Sequence, residues 1–311
     1  MNVPRFVKPL GTLIVLASLA FIVERLWANR EWLAAWRPDA VTLVAVSMGI
    51  LFYGFGSVLL SAAWTRLLAW CGQPDARFAA CHAVYGRTQL AKYLPGNVFQ
   101  YVGRQVLGRE AGLSQLPMAS ASIYEILAFL LAAGLLGVLG MGLLGISTGN
   151  QLSSAKLGLV LVAAAGALIA FSLLAPRAAR LAGADLRLGN TKQVLTELLP
   201  AFAAYAGFVL LVGLTLAGLV HASFGLSSFD QLGAVVSGFA VAWVAGFITP
   251  GAPGGLGVRE AVMLVFLLPI IGESEGLVVT VIFRVMTILG DVLFFITAYW
   301  FGRLPQRGNT N

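Results

Sequence analysis

Two apolar segments, 232–248 and 258–271, are joined by Thr249-Pro-Gly-Ala-Pro-Gly-Gly-Leu-Gly-Val-Arg-Glu260, and this joint cannot continue as one helix. Pro250 and Pro253 each remove a backbone donor, while Gly251, Gly254, Gly255 and Gly257 favour turns. In lipid such a break would strand backbone N–H and C=O groups, so it must be buried in protein or line a wet cavity. Arg259-Glu260 follows at once and opens the next helix, and a charge at a broken helix points to a site more than to an anchor.

That the setting is a membrane follows from composition. Hydrophobic residues make up 59% of 311 and charged residues 11%, with a mean hydropathy of +0.88; a soluble domain carries about 25% charged residues. The expected class is an all-α polytopic membrane protein with no separate soluble domain. The net charge of +7 does not indicate a nucleic-acid partner, because 14 of the 20 Lys and Arg residues fall in Arg5–Lys8, Arg66–Arg109, Arg177–Lys192 and Arg303–Arg307. Such clustering is the positive-inside pattern of cytoplasmic segments. Cys71 and Cys81 fall in one of these regions, so reduced thiols are expected; ten apart, with only His82 nearby, they make a poor metal site.

An earlier stretch repeats the opening pattern. In Lys92-Tyr-Leu-Pro-Gly-Asn-Val-Phe-Gln-Tyr-Val-Gly-Arg-Gln105, Pro95-Gly96 precedes Arg104-Gln105 by the nine residues that separate Pro250-Gly251 from Arg259-Glu260.

Taken in order, 10–27 reads as an uncleaved first span with the N-terminus inside, although a signal peptide could begin this way. Residues 41–64 return inward, with Gly49, Gly54 and Gly56 offering small faces for close packing. Residues 78–93 and 98–111 read as two short amphipathic helices joined at Leu94-Pro-Gly-Asn97, too charged for ordinary spans and better suited to a hairpin entering from the cytoplasmic side. Residues 117–144, 157–175 and 197–221 are spans, with Pro200 tolerated in a first turn. The pair 232–271 must begin and end outside, as a hairpin or as two spans, before the last span at 277–300.

This count gives about six full spans plus two Pro-Gly broken-helix hairpins, or eight spans, in a single transmembrane domain over 1–311. The first half, about 1–145, holds hairpin 78–111; the second, about 146–311, holds hairpin 232–271. Three crossings per half invert one relative to the other, which is the architecture of an inverted repeat with its site where broken helices meet.

Arg104 and Arg259, one after each break, are the candidates to bind an anion, since the guanidinium fork suits phosphate. Gly254, Gly255 and Gly257 would add backbone N–H groups at a helix start. The alternative for Arg259 is a structural pair with Glu260 or another acid. Arg284 and Asp291 lie two turns apart on one face, and with Glu125 and Glu260 they form either an ion-pair network or a gate. Lys92 and Asn97 flank the first break, and Arg87, Lys92 and Arg109 could attract anionic headgroups or reflect positive-inside bias alone. Tyr85, Tyr93, Phe99 and Tyr101 read as interfacial aromatics, His221 as a helix-terminal residue, and His82 has no assigned role.

Evidence for an enzyme is thin. HExxH, GxSxG and P-loop motifs are absent, and Asp75 and Asp185 stand alone in the loops, so neither catalytic residues nor a cofactor or metal are expected.

Lys92-Tyr-Leu-Pro-Gly-Asn97 with Gly103-Arg104, together with Pro253-Gly-Gly-Leu-Gly-Val-Arg-Glu260, resembles the lysylphosphatidylglycerol synthetase transmembrane, or flippase-like, family over nearly the whole chain. That family is similar to the membrane half of the bacterial multiple-peptide-resistance factor, which moves aminoacylated phosphatidylglycerol between leaflets. The resemblance implies Arg104, Arg259 and Glu260 as site residues. Bifunctional members carry a soluble aminoacyl-transferase domain after the membrane part, and this chain ends at Asn311, so lipid aminoacylation is not expected. The expected function is a flippase moving an anionic phospholipid or lipid-linked sugar across the bacterial inner membrane, with both termini cytoplasmic and a separately encoded lipid-synthesising enzyme as a possible partner. The alternatives are a membrane-embedded transferase or accessory subunit acting on lipid-linked sugars, and a small-anion transporter.

Overall fold

The computed structural model describes residues 20–94, 98–143, 194–249 and 252–301. The start of the first span, Asn97, the tip residues Pro95-Gly96 and Pro250-Gly251, the span expected at 157–175 and the basic loop after it lie outside the described residues, as does the C-terminal segment from 302.

Every regular element among the described residues is helical: residues 20–28, α1 (Arg30–Ala35), α2 (Ala40–Trp70), α3 (Phe78–Gln89) with a 3₁₀ extension (Leu90–Tyr93), α4 (Phe99–Glu110), α5 (Gln115–Leu143), a π-helical turn (Val194–Leu198) leading into α6 (Leu199–Phe224), α7 (Phe229–Ile248), a 3₁₀ turn (Pro253–Gly255), α8 (Val258–Ile271) and α9 (Glu273–Phe301). Among the described residues, six segments are long and apolar enough to cross a bilayer: Ala40–Trp70, Gln115–Gly140, Thr196–Phe224, Phe229–Ile248, Pro253–Ile271 and Glu273–Phe301. The protein is an all-α, multi-pass membrane protein.

Local chemistry sets the helix ends. The Asp39 carboxylate accepts from Thr42 N–H at 2.7 Å to start α2, and Ser228 Oγ accepts from Gln231 N–H at 3.3 Å to start α7. Pro200 occupies the first turn of α6, where its missing N–H has no helical partner to lose. Helices α6 and α8 stop at Gly225 and Gly272, whose positive φ values of 78° and 91° turn the chain away.

Side-chain contacts sort the helix ends into two groups. At one end Trp36 meets Phe224 (centroids 6.1 Å apart), Thr42 bonds Ser223 (3.3 Å), and Arg25 bonds Glu273 (2.9 Å). At the other, Arg66 donates to the Thr196 carbonyl (3.0 Å), Gln73 accepts from Ser114 N–H (3.0 Å), and Phe78 meets Phe301 (6.3 Å). Hairpin α3–α4 therefore begins and ends at the second end, and hairpin α7–α8 at the first. Helix α2, with 31 residues, is about 46 Å long at 1.5 Å per residue; α7 (20 residues) and α4 (12 residues) are about 30 and 18 Å. The two hairpins together span about the height of α2, so their tips meet inside the protein.

Small residues bring the long helices together. A Cβ at Gly49 would fall 2.1 Å from Met286 Sδ, at Gly54 2.7 Å from Leu293, at Gly56 2.6 Å from Leu211, and at Gly290 2.6 Å from the Tyr53 ring. Helix α2 thus packs closely on both α6 and α9, the close approach that its glycines are suited to allow.

Candidate functional site

The tip of the second hairpin is held by its own helix start. Pro253–Gly255 forms a single 3₁₀ turn, with Gly254 at φ 56° and Gly255 at φ 76°, conformations an L side chain rarely adopts. The Glu260 carboxylate reaches back to accept from Gly257 N–H at 2.7 Å, capping α8. Its other oxygen lies 3.1 Å from Arg284 Nη1, which also donates to the Gly254 carbonyl at 3.2 Å. Arg284, from α9, thus fixes both the turn and the helix it opens.

The first hairpin is tied to the same helix. Lys92 Nζ lies 2.7 Å from Asp291, and Tyr93 OH donates to the same carboxylate at 2.5 Å. Asp291 is fully buried, so these donors satisfy a charge that would otherwise be costly in an apolar interior. Tyr53 OH lies 3.4 Å from Lys92 Nζ. The two tips touch: a Cβ at Gly254 would stand 3.1 Å from the Tyr93 ring, so glycine permits the ring to lie against the turn.

Arg104 on α4 forms a third pair, with Glu125 on α5, and both side chains are almost fully buried. Tyr85 OH donates to Glu125 at 2.6 Å, and the Arg104 guanidinium lies 3.7 Å from the Tyr85 ring centroid. Charge pairing, a hydrogen bond and a cation–π contact hold one arginine in one orientation.

Arg259 differs from the other three cations. It forms no ion pair or hydrogen bond among the described residues; its Nε is buried without a partner, as are the Nε atoms of Arg104 and Arg284. Its guanidinium lies 6.0 Å from the Trp243 ring centroid, and a Cβ at Gly255 would stand 3.4 Å from Nε. Arg259 lines a cavity of about 70 Å³ at the meeting of the hairpins, space for a few water-sized groups. Lys92, Gln100, Tyr101, Arg104 and Glu125 line it from the first half, and Gly254 and Gly255 from the second. Its apolar wall is a stack in which Trp243 lies between Phe129 and Phe247, with centroids 5.0 and 5.1 Å away.

The family model for the lysylphosphatidylglycerol synthase TM region matches residues 10–294. The chain belongs to this family. A search of curated proteins found no match. Family membership implies a lipid-related role in the membrane.

Within this family framework, the structure brings Lys92, Arg104, Glu125, Gly254, Gly255 and Arg259 to one cavity and sets Glu260, Arg284 and Asp291 behind its wall. Glu260 pairs with Arg284, within the network expected for the buried charges, and not with its neighbour Arg259. The glycines depart from the sequence reading. The N–H groups of Gly255 and Gly257 are not turned to a ligand: Gly255 N–H bonds the Ala252 carbonyl at 3.0 Å, and Gly257 N–H bonds Glu260. These glycines serve positive φ and close approach instead.

Tyr85, Tyr93 and Tyr101 are not interfacial: the first two bind buried carboxylates and the third lines the cavity. Phe99 is exposed, as an interfacial ring would be. His82 is buried, 3.1 Å from Ser61 Oγ and 3.3 Å from Thr297 Oγ1. His221 accepts from Leu226 N–H at 3.1 Å and so closes the end of α6, as a helix-terminal residue should. No group of three or more metal-ligating side chains occurs among the described residues.

Proposed function

We propose that the chain is a flippase that carries the headgroup of an anionic phospholipid or lipid-linked sugar across the bacterial inner membrane, leaving the lipid chemically unchanged. The observation that carries this reading is Arg259, an arginine without an ion pair among the described residues that faces a cavity enclosed by two broken-helix tips. An unpaired guanidinium inside protein costs several kcal/mol, and a phosphate entering the cavity offsets that cost. We read the hairpins as re-entrant elements of an inverted repeat, one from each leaflet, with both termini cytoplasmic. Movement of one tip relative to the other would open the cavity to alternate sides while acyl or prenyl tails stay in lipid. A separately encoded enzyme would make the lipid.

The test is a leaflet assay in liposomes containing purified protein and headgroup-labelled phosphatidylglycerol, lysyl-phosphatidylglycerol or a polyprenyl-phosphate sugar. Transfer of intact lipid from one leaflet to the other supports the proposal. Lipid that stays in place but changes mass when donor substrates are supplied supports a transferase, in line with the word synthase in the family description.

A further inference from the structure

We infer that the cavity selects lipids by net headgroup charge and takes a single negative charge: a phosphodiester whose headgroup carries no cation. This rests on the flippase reading for the identity of the ligand as a lipid, and on the following charge balance for its class.

Four cations meet at the hairpin tips: Lys92, Arg104, Arg259 and Arg284. Three acids meet them, and each is already engaged: Asp291 by Lys92, Glu125 by Arg104, Glu260 by Arg284. The chain has 13 Asp and Glu residues, of which only Asp185 lies outside the described residues. Among the described residues the site therefore carries one unmatched positive charge, on Arg259. In a low-dielectric interior a mismatch of one charge is costly in either direction.

A phosphodiester with an uncharged headgroup brings the balance to zero. A zwitterionic headgroup leaves the mismatch in place. A headgroup with net positive charge, such as lysyl-phosphatidylglycerol, increases it, and the acids that could meet its amines are already bonded to lysine, arginine or tyrosine. The same balance admits a polyprenyl monophosphate sugar, which is also a monoanionic phosphodiester.

Binding and transport separate this inference from the reading beneath it. Purified full-length protein in detergent is offered phosphatidylglycerol, phosphatidylethanolamine and lysyl-phosphatidylglycerol with identical acyl chains, and retention is measured by native mass spectrometry. Phosphatidylglycerol is expected to bind roughly tenfold or more tightly than either other lipid, the effect of about 1.4 kcal/mol. Arg259→Gln is expected to abolish the preference and Arg259→Lys to retain most of it. Equal or tighter binding of lysyl-phosphatidylglycerol by the unaltered protein overturns the inference, whether or not the variants fold. Persistence of the preference in a folded Arg259→Gln protein also overturns it. Selective binding without any leaflet transfer overturns the flippase reading and leaves charge selection standing; transfer of all three lipids at equal rates does the reverse.

Discussion

Arg284 and Asp291 lie seven residues apart on α9, and each fastens a different hairpin: Arg284 bonds Glu260 and the Gly254 carbonyl of the second, Asp291 bonds Lys92 and Tyr93 of the first. One rigid helix therefore sets the distance between two broken-helix tips that enter from opposite ends. Seven residues is close to two helical turns, which puts both side chains on one face about 10 Å apart along the axis. Any motion that separates the tips must break one of these two fastenings.

Removing one partner of the Lys92–Asp291 pair leaves a buried charge unmatched. Asp291→Leu and Lys92→Met are each expected to lower stability by roughly 3–5 kcal/mol, and the two together to recover most of the loss. Thermal unfolding in detergent reads the cycle. A double variant as unstable as the sum of the singles would show that the two residues do not act as a pair.

Gly254 combines a φ of 56° with a ring 3.1 Å from where its Cβ would lie. Gly254→Ala is expected to cost about 1–2 kcal/mol from backbone strain alone, and to reduce lipid transfer further by pushing Tyr93 away. Gly134→Ala is the control: no atom lies within 4 Å of that Cβ in its helical setting, and a gain of up to about 1 kcal/mol is expected. Equal effects of the two changes on transfer would contradict the tip-to-tip contact.

The end assignment is tested by accessibility. Asp75 and Ser227 are exposed at opposite ends of the helix bundle. Asp75→Cys is expected to react with a membrane-impermeant maleimide only from the cytoplasmic side, and Ser227→Cys only from the opposite side. Background from the native thiols is small: Cys81 is buried, and burial pushes the Cys71 thiol up to about 12, leaving it protonated. Labelling of both positions from one side would refute the two-ended arrangement.

Much of this arrangement was legible in local sequence. Helical structure stops at Tyr93 and resumes at Phe99, and stops at Ile248 and resumes at Pro253, on either side of the two Pro-Gly pairs in the sequence, and the glycines of α2 marked a close-packing face that does meet α6 and α9. Charged residues in apolar surroundings picked out Glu125, Arg284 and Asp291, because such residues need partners. The choice of partners was not legible. Arg259 and Glu260 are adjacent, yet successive helix residues point about 100° apart, so Glu260 turns toward α9 and Arg259 toward the cavity. Arg104 meets Glu125 across two helices, a pairing that no spacing rule specifies. The tyrosines were misplaced for a related reason: an aromatic ring with a hydroxyl suits a membrane interface and a buried carboxylate equally well, and only the packing decides.

The pair Arg104–Glu125 is held by more than charge, since Tyr85 donates to the carboxylate and lies beneath the guanidinium. Arg104→Lys is expected to behave as a loss-of-function change despite conserving charge, because an ammonium offers neither the planar fork nor the stacking surface. Tyr85→Phe retains the ring and removes one bond to a charged group, with an expected loss of roughly 1.5–3 kcal/mol. Transfer assays and thermal unfolding on both variants distinguish a lost site from a lost fold. Full activity of Arg104→Lys would make that pair purely a matter of charge.

The central claim is that Arg259 is the cation left open for the lipid phosphate. It is tested most directly by the rate at which labelled phosphatidylglycerol changes leaflet in liposomes containing the unaltered protein, Arg259→Lys or Arg259→Gln, each shown to be folded by thermal unfolding. The account predicts transfer by the unaltered protein, reduced but measurable transfer by Arg259→Lys, and none above protein-free liposomes by Arg259→Gln. Undiminished transfer by folded Arg259→Gln would contradict it.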